Sequence, residues 1–193
     1  MRNKYNNFYY YLFDWANSPF STIVITFVFS SYFTNTVADN KIIGTSLWGW
    51  TIALSGILIA VLSPYLGYLA DNKKSFSKNF LIASTLIVGI LSFLLWFATE
   101  NINVFFFLFI ILIANIFFEI GQAFYNSQLI NFKGRKNYGE FSGTAWAFGY
   151  LGGITCLAVI LAFFIIPEEP LFKLSESKYE NIRICGPIVG LWF

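Results

Sequence analysis

The sequence predicts an all-α protein that crosses a membrane several times, and three observations carry that reading. Hydrophobic residues make up 57% of the 193 and charged residues only 11%, against roughly 25% charged in a soluble globular domain. The apolar residues are also blocked rather than scattered. Trp15 to Ala38, Ile42 to Ala70, Asn79 to Thr99 and Phe141 to Pro167 contain no Asp, Glu, Lys or Arg, and Asn101 to Phe132 contains only Glu119. Finally, every block reaches the roughly 20 residues that a helix needs to cross the hydrocarbon core. In lipid a spanning helix satisfies its own backbone hydrogen bonds, so helix is the expected state of each block. The chain reads as one transmembrane domain over residues 1–193.

Taken in order, the first span is expected at 19–37, with Ser18 as N-cap and Pro19 at the first helical position. The run is too long for a signal-peptide core and is followed by further spans, so it is read as a retained helix. The second is expected at 47–69, the third at 80–98, the fourth at 102–124 and the fifth at 143–166. A sixth apolar stretch covers 184–193. At ~1.5 Å per residue it reaches only about half-way across the bilayer core, so the last helix is expected to be cut short.

Lys and Arg set the orientation. Arg2 and Lys4 precede the first span, Lys73, Lys74 and Lys78 lie between spans two and three, and Lys133, Arg135 and Lys136 between four and five. The opposite side has only Lys41, Lys173, Lys178 and Arg183. The N-terminus is therefore expected in the cytoplasm, with the protein integral to a membrane. Tyr32, Trp48, Trp50 and Trp96 at outer ends, and Trp15, Tyr65, Tyr68, Tyr125 and Trp146 at inner ends, fit interfacial belts.

Composition also removes whole classes of function. A formal charge of +2, with basic residues in short inter-span clusters, argues against a nucleic-acid partner. Without histidine there is no His metal site, no Ser-His-Asp triad and no imidazole relay. Cys156 and Cys185 are too few and too separated for a metal cluster and are expected free. No metal, cofactor or enzymatic constellation is expected.

Polarity divides the spans. The third holds only Ser84, Thr85 and Ser92 as side-chain hydroxyls and can face lipid. Ser18, Thr22, Thr26 and Ser30 recur every four residues on span one, a polar stripe on one helix face. Span two has Gly56-x-x-x-Ala60 and Ser63-x-x-x-Gly67, and span five has Gly143-x-x-x-Ala147 and Gly149-x-x-x-Gly153. Small residues at that spacing bring membrane helices into close contact. Spans two and five thus read as packing helices through Gly56, Gly149 and Gly153, and spans one and four as lining helices.

The sharpest chemical feature is on span four. Asn115, Glu119, Gln122 and Asn126 share one helical face and are expected to point into the bundle or a water-filled cavity. Glu119 reads as the only acidic side chain well inside a span. It is either the proton-titrating group or a glutamate that fixes helix packing. Two further segments have bland readings of their own. Gly67 to Lys74 reads as a helix C-terminus with lysines held at the inner face. Asp14-Trp15-Ala16-Asn17-Ser18-Pro19-Phe20 reads as a capped helix start with an interfacial Trp.

These segments also carry a resemblance. Gly67, Ala70, Asp71, Lys73 and Lys74 resemble the loop between helices two and three of the major facilitator superfamily. Tyr11 to Phe20, Asn115 to Glu119, Phe124-Tyr125-Asn126 and Ser142 to Gly153, in that order, are similar to the bacterial branch related to the autophagy-associated vacuolar effluxers. The resemblance covers about Tyr10 to Phe193. It implies the N-terminal six-helix half of a twelve-helix transporter, built from two inverted three-helix repeats, with five complete helices and a truncated sixth. It further implies a missing C-terminal half, a cytoplasmic gate at Gly67, Asp71, Lys73 and Lys74, and amino-acid efflux as the activity of the eukaryotic relatives. Asn17, Thr22, Thr26, Asn115, Glu119, Gln122 and Asn126 are then expected along a path for a small polar solute and coupling protons. The rival reading is a small membrane protein that transports nothing and scaffolds or regulates a partner.

Overall fold

The computed structural model describes residues 2–73, 75–99, 103–131 and 138–193, and every element among them is helical. Among these residues five helices are long and apolar enough to cross a membrane: Asn7–Val37, Lys41–Asn72, Phe76–Phe97, Val104–Ser127 and Tyr138–Ile165. The architecture is all-α with five apolar spans.

Span one is the central rod, and it differs from expectation at its start. Helix α1 (Arg2–Pro19) runs straight into a π-helical stretch (Phe20–Phe27), a single α turn, α2 (Phe29–Tyr32), and a second π stretch (Phe33–Val37). Pro19 therefore sits inside the rod, and Ser18 caps nothing. The span begins at Asn7 rather than at residue 19. Proline is tolerated in a membrane helix because neighbouring groups and local π adjustment take up the freed carbonyl, and the π stretch begins at the very next residue.

The remaining spans are regular. Helix α3 (Lys41–Asn72) starts at Asn40, whose side chain accepts from the Ile43 amide at 2.9 Å. Helix α4 (Phe76–Leu94) ends in one 3-10 turn. Asn103 caps α5 (Val104–Ser127) by accepting from the Phe105 amide at 2.9 Å. Each cap satisfies an amide that the first helical turn leaves open. Helix α6 (Tyr138–Ile160) closes on a π turn, and the short helices α7 (Glu180–Arg183) and α8 (Cys185–Trp192) return along the bundle.

Phe20, Ile23, Val24, Phe29 and Phe33 of span one are fully buried, against Phe107 and Ile111 of α5, Val88 of α4, Ile160 of α6 and Val189 of α8. Three helix seams then close on small residues. In the α1–α6 seam, side chains at Gly149, Gly152 and Gly153 would collide with Ser18, the Trp15 carbonyl and Thr22. In the α4–α5 seam, Gly121 makes room for the Ser84 hydroxyl, and in the α4–α8 seam Gly186 and Gly190 lie on Ser92 and Gly89. Backbone approach of this kind substitutes for the hydrophobic drive that lipid removes.

Two readings of the spans need correcting. Gly56 and Gly67 of α3 border open space, since a Cβ at either meets nothing within 4 Å. The small-residue pattern of span two is not a packing seam within this chain, and its Ile57, Val61, Tyr65 and Tyr68 are exposed. Span three is not wholly free for lipid either. Ser84, Val88, Gly89 and Ser92 are buried beneath α5 and α8, which composition alone could not show.

The two ends of the bundle are tied differently. At the end where α1, α5 and α6 meet, Tyr10 stacks on Tyr125 with centroids 4.2 Å apart, and Phe13 and Phe141 join them. The Tyr125 hydroxyl donates to the Tyr10 carbonyl at 2.8 Å. At the other end Tyr32 donates to the Ala98 carbonyl at 2.7 Å. Arg183 there donates to the Trp96 carbonyl at 2.7 Å, with its guanidinium 5.1 Å from the Trp96 ring centroid.

Candidate functional site

A cavity of about 230 Å³ opens where α1, its π continuation, α5 and α6 converge. Its polar wall is a three-residue relay. Asn17 Nδ2 donates to Gln122 Oε1 at 2.7 Å, and Gln122 Nε2 donates to Asp14 Oδ1 at 3.3 Å. Asp14 and Asn17 are on successive turns of one helix and Gln122 is on another, so the relay bridges α1 to α5. Glu119, one turn from Gln122, lines the same cavity with its side chain open to it. Among the described residues neither Asp14 nor Glu119 has an ion pair.

The glycine seam explains why a polar cavity can exist here. Gly149 lies against Asp14 and Ser18, and a Cβ there would stand 3.0 Å from Asp14 Oδ2 and 2.7 Å from Ser18 Oγ. The missing side chain leaves the carboxylate its place. Trp146 and Tyr150, one turn apart on α6, add two exposed rings to the wall, with centroids 6.3 Å apart and edge to face. Phe118 supplies a third, buried against Phe20.

Of the residues expected along a solute path, the structure brings Asn17, Thr22, Glu119 and Gln122 together at this cavity and leaves three elsewhere. Asn115 is buried, and its amide donates to Ser55 Oγ on α3 at 2.7 Å, so it joins two helices. Thr26 is exposed, its hydroxyl donating to the Ser21 carbonyl at 2.8 Å. That bond reaches back five residues, the signature of a π turn. The π stretch rotates Thr26 off the line of Ser18 and Thr22, so the stripe read at every fourth residue is broken. Asn126 is exposed and lines neither this cavity nor the next.

Gly67 and Asp71 line a second cavity, of about 270 Å³, between α3 and the ends of α4 and α5, with Ser63, Ser77 and Phe124. Lys73 is exposed at the C-cap of α3. Lys74, like the loop cations Lys133, Arg135 and Lys136, lies outside the described residues. Gly149 and Gly153 make the close contacts expected of them, while Gly56 makes none.

Asp14 is the residue that sequence reasoning passed over. Its segment reads as a helix start, yet Asp14 lies inside span one and is 4% exposed. Glu119 is therefore not the only acid within a span. The signal was present: Asp14, Ser18 and Thr22 are spaced by four, so the polar stripe extends one turn earlier than Ser18.

The chain is 26% identical over 188 residues to an uncharacterized MFS-type transporter, YxiO, of Bacillus subtilis (strain 168), an alignment covering 94% of this chain and 42% of that relative. The chain thus spans about two fifths of the relative's length. No family model matches the chain, and no solved structure matches it. The likeness to YxiO and the helical architecture are consistent with half of a major facilitator fold. Chemically, the cavity offers carboxylates, amides and rings. Among the described residues no group of His, Cys, Asp and Glu is arranged to hold a metal.

Proposed function

We propose that the chain forms part of a secondary active transporter of the major facilitator type, which moves a small polar solute by alternating access. The observation that carries this is the cavity at the convergence of α1, α5 and α6, with Asp14, Asn17, Glu119 and Gln122 on its wall. Ionisable side chains within membrane helices are costly and mark substrate or proton paths, and here two of them share one cavity. In this reading Glu119, open to the cavity and without an ion pair among the described residues, is the proton carrier. The bundle sits in a bacterial inner membrane with its N-terminus in the cytoplasm. A further set of helices completes the transport path, and two halves rock about the site. The resemblance to the vacuolar effluxers makes amino acids the first solutes to try. Gly67, Asp71, Lys73 and Lys74 belong to the cytoplasmic gate.

The test uses the product of the complete reading frame, reconstituted in liposomes. A pH gradient is expected to drive solute movement in the wild type, and Glu119→Gln is expected to abolish the coupling while downhill exchange persists. Undiminished coupling in that variant removes Glu119 from the role.

A further inference from the structure

We propose that this cavity binds its substrate through an organic ammonium group, with Asp14 as the carboxylate that pairs with it. The inference rests on the reading of the cavity as the transport site and adds the chemical class of the ligand. Among the described residues two carboxylates line the cavity, and no Lys or Arg does. Among these lining residues an anion would meet two like charges and no opposite one. Asp14 is nine-tenths buried, and one amide at 3.3 Å is its sole hydrogen-bond donor among the described residues. An ionised carboxylate has about four acceptor sites, so most of its capacity is unfilled in a setting where an uncompensated charge is costly. A cation in the cavity would relieve that cost.

The rest of the wall favours an organic cation over a bare metal ion. Trp146, Tyr150 and Phe118 present aromatic rings, whose faces attract ammonium groups, Trp most strongly. Metal ions of the hard class prefer a shell of oxygen ligands instead, and the Trp146 and Phe118 rings supply none. Carboxylates and rings around one space are together what an alkylammonium head requires: a counter-charge and apolar contact for its carbons. Glu119 remains available for the proton, so cation and proton occupy separate carboxylates.

The test is equilibrium binding by calorimetry to the complete protein in detergent micelles, which needs no transport. Choline and n-butylammonium are compared with 3,3-dimethylbutan-1-ol, the uncharged isostere of choline, and with butyrate. At least one of the two cations is expected to bind, with the alcohol and butyrate far weaker. Asp14→Asn is expected to weaken cation binding by at least about tenfold, on the scale of a charge contact in a partly dry site. Trp146→Ala is expected to weaken it about threefold or more, with Trp146→Phe retaining most of it. Trp146 is exposed, so its variants report on the site even if the buried Asp14 variant does not fold. Failure of both cations to bind, equal binding of the alcohol or butyrate, or unchanged affinity in the folded variants overturns the inference. Cation binding without flux in liposomes would instead remove the transport reading and leave the cation site standing. Flux indifferent to solute charge would do the reverse.

Discussion

Gly152 shows how much can hang on one missing side chain. A Cβ at this position would run into the Trp15 carbonyl oxygen and carbon, backbone atoms that no rotamer change can move. Gly152→Ala is expected to destabilise the protein by about 1–3 kcal/mol, the usual cost of overpacking, seen as a lower thermal unfolding temperature in detergent. Gly56→Ala is the matched control: open space surrounds that position, and the gain in helix propensity makes it neutral or stabilising by up to about 1 kcal/mol. Equal losses at both sites would mean that the α1–α6 seam is not the contact described. Asn115 makes a second test at this scale. Because its amide donates to Ser55 across two helices, Asn115→Ala and Ser55→Ala are each expected to cost about 0.5–1.5 kcal/mol. The double variant should cost little more than either single one, since both remove the same bond. Additive losses would show that the two residues act separately.

At the scale of elements, the sequence showed where the helices lie better than which way their faces turn. Spans two, three and five were legible from charge-free runs, and span four from a run interrupted only by Glu119, because lipid tolerates so few alternatives. The start of span one was not, since Ser18-Pro19 looks like a cap and nothing local shows that helix precedes it. Nor was its face. The repeat of four through Ser18, Thr22, Thr26 and Ser30 assumes α geometry, and the π stretch Phe20–Phe27 breaks that assumption after Thr22. The polar residues of α5 share a helical spacing but reach different neighbours, Asn115 toward α3 and Gln122 toward α1. Only tertiary packing decides that. The Gly186-x-x-x-Gly190 pattern of α8 has the same small-residue spacing as Gly149-x-x-x-Gly153 and packs on α4. Its role can be checked: Gly190→Leu is expected to push α8 off α4, since even a Cβ there comes within 2.7 Å of the Gly89 carbonyl oxygen. Loss of cysteine cross-linking between paired positions on α4 and α8 would report the separation, and intact cross-linking would refute the contact.

For the molecule as a whole, water access is the quantity that separates a lined cavity from a packed bundle. Cysteines introduced at Glu119 and Gln122 are expected to react with a small membrane-impermeant thiol reagent, because both positions line the open cavity. A cysteine at Asn115, buried and bonded to α3, is expected to be protected. The native Cys156 and Cys185 are free and buried, so they should stay silent until the protein is denatured. Reaction at Asn115 with silence at Glu119 would invert the assignment of inside and outside on α5. Asn17, Thr22, Glu119 and Gln122, expected along one path, line the same cavity. Asp14 has its signal in the four-residue spacing from Ser18 and Thr22, whereas the rings of Trp146 and Tyr150 join the site only when α6 is laid against α1.

The hydrogen bonds joining Asn17, Gln122 and Asp14 also have a direction. As they stand, each amide points its nitrogen toward Asp14, and the ionised carboxylate at the end, able only to accept, dictates that order. If a proton settles on Asp14, the carboxyl gains a hydrogen to give. The favoured order then runs the other way, with Gln122 turning its oxygen to Asp14 and its nitrogen to Asn17. The charge state of one buried acid is in this way written into the orientation of two side-chain amides on separate helices. Side-chain amide resonances of Gln122 and Asn17 should therefore shift together, and with Asp14→Asn they should lose that concerted response.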